Sequence, residues 1–299
     1  MKTNFLLLVF CISGWQVIAQ GSDSLRKELP AAAIPVSADY AKPKLFSFLT
    51  DIPRDVAGFA RASFRQRNFS NLGILTGATA FLYFSDQAIT NTVQDKFEDN
   101  NIRAKEDFKP LLSLKMGGKK TNIGKLPRNF NTALYDIGQG SSAMLLAAGF
   151  YALGKINHDN RALQTARQLT QAFITLGAGT QLMKYITGRE NPSDATVARG
   201  RWRPFPGWKN FQHDKTRYDA FPSGHMATFI SAVTIISENY PEKRWIRPAG
   251  YFLGSLCGLC MINNGVHWAS DFPLGIALGY GYGKYIAHHP HPHKISPAV

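Results

Sequence analysis

Cysteine is scarce in this chain: three residues in 299, at positions 11, 257 and 260. Cys11 falls in an N-terminal stretch read below as an export signal, so the mature chain keeps Cys257 and Cys260. These two stand three apart in an apolar run, which fits small core residues rather than a disulfide or a metal pair. Acidic residues are also few, 20 against 34 Lys and Arg, giving a formal charge of +14 and a pI of about 9.7. Such an excess suits an anionic partner: nucleic acid, an acidic membrane surface or a phosphorylated substrate. There is no zinc-finger spacing and no RNA-binding signature, which speaks against nucleic acid. Long hydrophobic runs are missing too. No stretch reaches the roughly 18 purely apolar residues of a membrane span, and the mean hydropathy is −0.17. Strand-period alternation persists nowhere, and no internal repeat is found. The expected fold class is therefore all-α.

What is present begins with an export signal over 1–19. Lys2 supplies the positive start, Phe5 to Ile12 a short apolar run, and Val17 and Ala19 the small residues of a cleavage site. The alternative, an uncleaved anchor, has too short an apolar run to span comfortably. Phe10 before Cys11 is too bulky for a lipoprotein cleavage site. Cleavage near Gln20 and a place in the cell envelope, membrane-associated or periplasmic, are the expectations. Residues 20–70 read as a polar leader, its first part carrying Pro30, Pro35, Pro43 and Pro53. Residues 71–130 read as a first helix, apolar over Leu72–Phe84, followed by a basic solvated connector. A helical core is expected over 131–288, with helices near Ala133–Leu153, Arg161–Thr187, His225–Asn239, Arg247–Ile262 and Asp271–His288. Gly275, Gly279, Gly281 and Gly283 allow close helix approach. The tail over 289–299 is His-rich and reads as a solvated end rather than a metal site.

Three stretches inside the core carry chemistry. In Phe221-Pro222-Ser223-Gly224-His225, Ser223 is placed to cap a helix whose first-turn N–H groups form an anion site. His225 beside it exchanges protons near neutral pH. Taken alone, these five residues also fit a plain capped helix with a surface histidine. In the second stretch, Pro273 marks a helix start near Ser270. That start places Asp271 four residues after His267, where a carboxylate fixes the ring's tautomer and makes its other nitrogen a better nucleophile. In the third, Lys184 ends a helix that Gly188 stops. Between Gly188 and Phe221 no helical period appears. That long loop carries Arg189, Arg199, Arg201, Arg203 and Arg217, with Trp202, Phe205 and Trp208 among them. It reads as a basic lid or cleft wall.

Together these stretches resemble the type 2 phosphatidic acid phosphatase / vanadium haloperoxidase superfamily. The family pattern is a lysine, six residues and Arg-Pro; then Pro-Ser-Gly-His; then Ser-Arg, five residues, His, three residues and Asp. Lys184 and Pro192, then Pro222 to His225, then His267 and Asp271 stand in register, and the likeness covers about 130–288. Two positions depart: Asn191 replaces the arginine of the first part, and Cys260-Met261 replaces the Ser-Arg of the third. The resemblance implies a bundle of about six helices and phosphate-ester hydrolysis without metal or other cofactor. His267 would attack phosphorus, Asp271 would orient it, and His225 would protonate the leaving oxygen. Lys184, Ser223 and the Gly224 N–H would hold the phosphate oxygens, and the substrate would be a phosphorylated lipid or another anionic phosphate. Because both family arginines are absent, Arg203, Arg201 and Arg189 of the loop are expected to supply the missing charge, Arg203 first because Pro204 follows it. Two alternatives stand beside this reading: a degenerate member that binds an anionic lipid or phosphate without turnover, and a vanadate-dependent haloperoxidase.

Overall fold

A computed structural model describes residues 40–289, apart from 41, 45, 105–106 and 117–118; over 111–125 it describes the backbone only. The expected export signal, the start of the leader and most of the His-rich tail lie outside the described residues. Those residues form nine α-helices: α1 (Ser47–Ser63), α2 (Phe69–Asp99), α3 (Phe130–Ile137), α4 (Gly140–Ile156), α5 (Asn160–Thr187), α6 (Trp208–His213), α7 (Gly224–Asn239), α8 (Ile246–Asn263) and α9 (Phe272–His288). Seven of the nine have 16 residues or more and make up the bundle. Among the described residues no helix is long and apolar enough to cross a membrane.

Local signals set several of the boundaries. Asn129 caps α3 by accepting the Thr132 N–H at 2.7 Å, and Asp159 caps α5. Gly188 ends α5 in the left-handed conformation at φ 56°, where a side chain would be strained. Pro273 sits in the first turn of α9, where its missing N–H costs nothing. Cys257 and Cys260 are free and buried. Burial pushes their thiols up to about 12 and about 11, so both remain neutral core residues.

α7 and α9 are pressed together by glycine. A Cβ on Gly275 would lie 2.4 Å from the Ser223 carbonyl, and one on Gly279 would lie 2.3 Å from that of Ala227. Backbone therefore meets backbone along this contact, and the motif turn before α7 is held against the start of α9. The surrounding core joins Leu169, Ala172 and Leu176 of α5 to Ile235 of α7 and to Tyr282 and Ile286 of α9.

Three sequence expectations give way here. The leader is helical from Ser47, with Pro53 inside α1. Tertiary contacts outweigh its proline: Phe59 meets Tyr282 edge-on at 5.6 Å, Arg167 of α5 holds Asp51 at 2.9 Å, and Gln171 holds Asp55 at 2.6 Å. The basic connector contains an antiparallel hairpin, β1 (Phe108–Met116) on β2 (Lys119–Pro127), so strand structure does occur beside the all-α bundle. The single helix expected over Ala133–Leu153 is two, α3 and α4, parted at Gly138 and Gln139.

Candidate active site

The three motif stretches converge. The Ser223 N–H donates to the Asp271 carbonyl at 2.9 Å, and the Ser193 N–H donates to that of Gly265 at 3.0 Å. Thr187 Oγ1 donates to the Phe221 carbonyl at 2.8 Å. These bonds tie the end of α5, the start of α7 and the approach to α9 into one wall. The Phe221–Pro222 peptide is cis. A cavity of about 260 Å³ opens in this wall, lined by Lys184, His225 and His267 together with Tyr135, Asn191, Lys215 and Asp219. A larger cavity, about 440 Å³, borders Pro192 and Trp268 and holds none of the titratable motif side chains.

His267 is buried, and its Nδ1 faces the Ala220 carbonyl at 2.8 Å and Asp271 Oδ2 at 3.5 Å. Both partners only accept, so Nδ1 carries the proton and Nε2 keeps its lone pair. That Nε2 accepts from His225 Nδ1 at 3.2 Å. The tautomers follow in sequence: a bare nitrogen on His267 points into the cavity, and His225 donates to it. Burial, His267 and Lys184 push the His225 ring well below the usual histidine pKa. It is therefore neutral at pH 7, and a bound anion would draw a proton back onto it.

The start of α7 offers donors. Of its four orphan N–H groups, Ser223 uses one on Asp271, and Met226 donates another to the Ser223 hydroxyl at 3.3 Å. The amides of Gly224 and His225 remain. Ser223 is fully buried and does not line the cavity, so its hydroxyl serves as a cap. Lys184 is buried at the cavity wall, 3.8 Å from Asp219 Oδ2. Burial and Lys215 lower its pKa, while Asp219 and Asp271 hold it up.

The arginine expectation is corrected by the structure: none of Arg189, Arg201 and Arg203 lines the cavity. Arg189 is fully buried and turned toward the back of the site. Its Nη1 donates to Asp271 Oδ1 at 2.5 Å and to Ser270 Oγ at 2.7 Å; its Nη2 donates to Asp86 Oδ2 of α2 at 2.7 Å. The rings of Tyr83, Trp202 and Trp268 surround its guanidinium at 5.0–5.4 Å. Arg203 pairs with the buried Glu190, and Glu190 also accepts the Arg201 amide at 2.8 Å. Arg201 itself is exposed. The loop arginines thus hold the loop and the back of the site together instead of facing a phosphate.

Asp271 is the most constrained member. Burial alone would raise its carboxyl, but Arg189, His267 and the Trp268 N–H outweigh burial and hold it below the usual carboxylate range. Asp86 goes the other way: burial outweighs Arg189 and Ser270, and its carboxyl is raised. Sequence reasoning missed Asp86, Tyr135, Glu190, Lys215 and Asp219. Glu190, Lys215 and Asp219 carried only a weak signal, as charged residues in the loop leading to Ser223. Tyr135 reaches the site from α3 and meets the His225 ring at 5.6 Å. Among the described residues no three His, Cys, Asp or Glu side chains gather as a metal site would need.

A helical bundle whose cavity joins two hydrogen-bonded histidines and a buried lysine, next to a helix N-terminus, is an arrangement suited to an anion. Residues 165–293 match the PAP2 superfamily, so the resemblance read from the three motifs stands over that segment. Over 86 residues the chain is 36% identical to a lipid A 1-phosphatase of Porphyromonas gingivalis, a match covering 28% of this chain and 17% of that protein. No solved structure matches the chain significantly.

Proposed function

We propose that this protein is an exported, membrane-associated phosphatase that hydrolyses a phosphate ester, taken to be a lipid phosphate, through a phosphohistidine. The observation that carries the reading is the setting of His267, its Nδ1 held by the Ala220 carbonyl and Asp271 behind it and its Nε2 met by His225 in front. In the proposed first step Nε2 attacks phosphorus, and the bond to the ester oxygen breaks. His225, protonated once the anion is bound, gives its proton to that oxygen. Neutral again, His225 takes a proton from water, which attacks the phosphohistidine and releases phosphate. Lys184 and the Gly224 and His225 amides face the charge that builds on the equatorial oxygens.

A lipid substrate is supported by the relative's name and by apolar side chains left in the open: Phe64, Phe84, Leu145 and Phe252 are each 68–74% exposed. The charge of +14 suits an acidic surface. The test is phosphate release from vesicles carrying lipid phosphates, using purified protein and His267→Ala. Release by the parent and none by the variant is expected; equal release by both refutes the mechanism. A second reading, a binder without turnover, is favoured by Asn191 and by Met261, which is buried in the core where the family pattern has an arginine. Phosphate binding without release from any ester would select it.

A further inference from the structure

We propose that Lys215 is the phosphate-binding cation that stands in for the arginines absent at 191 and 261, and that Asn191 shares the same phosphate. The inference rests on the phosphate-handling reading above, though not on turnover. Asn191 occupies the arginine's place in the pattern, and its side chain is buried in the cavity wall. Its neutral amide brings hydrogen-bonding groups but no charge. Its backbone N–H, however, donates to the Thr216 carbonyl at 2.8 Å. That bond lays the short 3-10 turn Lys215–Arg217 beside position 191 and puts Lys215 at the mouth of the same cavity.

Charge pairing singles out this lysine. The buried Lys184 already faces Asp219, and Arg189 and Arg203 are held by carboxylates. Among the described residues the Lys215 ammonium makes no hydrogen bond and no ion pair. It is nonetheless close enough to Lys184 to press that amine toward its neutral form. Two lysines repelling each other across one cavity form a site that an anion would relieve. A second, independent sign is Asn191 Oδ1, a buried acceptor with no partner. A phosphate monoanion carries an acidic hydrogen that this oxygen would accept, and the amide NH2 would donate to an unprotonated oxygen. A lysine gives a point charge rather than a fork, so this site would grip phosphate by charge with little angular demand.

The experiment is equilibrium binding of inorganic phosphate, followed by calorimetry, to the parent, Lys215→Gln, Lys215→Arg and, as a charge-matched control, Lys209→Gln, whose exposed lysine on α6 lies outside the cavity. Lys215→Gln should weaken phosphate binding about tenfold or more, the size of a lost charged hydrogen bond. Lys215→Arg should retain binding, and Lys209→Gln should match the parent. Because Lys215 is exposed, the variants should melt with the parent. Equal affinity in Lys215→Gln and the parent overturns the proposal, as does a parent that binds no phosphate at millimolar concentration. Lipid-phosphate hydrolysis measured on the same samples separates the two readings. A parent that binds phosphate through Lys215 and never turns over keeps this inference and sinks the phosphatase. A parent that hydrolyses with an unaffected Lys215→Gln does the reverse.

Discussion

Replacing Arg189 with methionine is the severest test of how this site is held. The guanidinium lies between Asp86 and Asp271, at 2.7 and 2.5 Å, and all three side chains are fully buried. Methionine fills similar volume, so packing is largely kept, but two buried carboxylates are left with no cation between them. Removing one partner of a buried pair costs about 3–5 kcal/mol. The lower end is expected, because the Asp86 carboxyl is already raised by burial and can take up a proton. For a chain of this size ~3 kcal/mol corresponds to a fall of roughly 6–12 °C in Tm. The deficit should shrink as pH is lowered toward 5, since the folded variant then binds a proton that the unfolded chain does not. Urea denaturation at pH 7.5 and pH 5 reads both effects. The double variant Asp86→Asn/Arg189→Met leaves a single carboxylate and should recover at least ~1 kcal/mol of the loss. Activity should fall in Arg189→Met as well, because Asp271 loses the group that fixes it behind His267. A loss below ~1 kcal/mol in Arg189→Met, or a double variant no more stable than the single, would show that the cluster is not held by charge.

Three further outcomes are expected. His267→Ala should abolish phosphate release, whereas Asp271→Asn should leave a measurable remnant, since a misoriented imidazole still attacks at times; single-turnover phosphate release compares them. The His225 pKa is depressed by burial, His267 and Lys184, so the unfolded chain binds the extra proton below about pH 6.5. Stability should therefore be lost as pH falls from 6.5 through the folded pKa, and His225→Gln should lose less of it than the parent in urea titrations at pH 7.5 and 5.5. Gly279→Val should force α7 and α9 apart, because any Cβ there meets the Ala227 carbonyl; a cost of about 1–3 kcal/mol is expected by calorimetry, and an unchanged Tm would contradict the close packing.

The parts of the site legible in sequence are those whose chemistry is local. Ser223 as a cap, Gly188 as a helix stop and Pro273 in a first turn each follow from a residue's own backbone and its nearest N–H groups. His267 and Asp271 were legible because one turn of chain separates them. Asp86 was not: it meets Arg189 across 103 positions, and nothing near it in sequence distinguishes it from a solvated helix aspartate. The direction of the loop arginines was hidden for a different reason. Glu190 competes for Arg203 from inside the same loop, and only the path of the chain, closed by the bridges from Arg189 to Trp202 and to Asp219, shows which charge wins. The hairpin did leave a trace that the all-α expectation overlooked: apolar residues fall on alternate positions from Phe108 to Met116 before Gly117-Gly118, the kind of dipeptide that joins two strands.

The cations around the cavity differ less in charge than in what already holds them, and that difference ranks their availability. Arg189 is the most committed: two carboxylates, a hydroxyl, a carbonyl and three aromatic rings surround it, and among the described residues its Nε alone is left without a partner. Turning it to a phosphate would strand Asp86 and Asp271, so it serves the carboxylate behind His267 instead. Lys184 is desolvated and shares one carboxylate at a loose 3.8 Å, so an incoming dianion can compete with Asp219 for it without leaving a buried charge unmatched. Lys215 is exposed at the cavity mouth, and its charge is repelled rather than neutralised. On the proposed mechanism an anion approaching from outside would meet the least committed cation first and then the half-committed one, and it would have to displace the hydrogen bond between the two histidines before Nε2 could reach phosphorus.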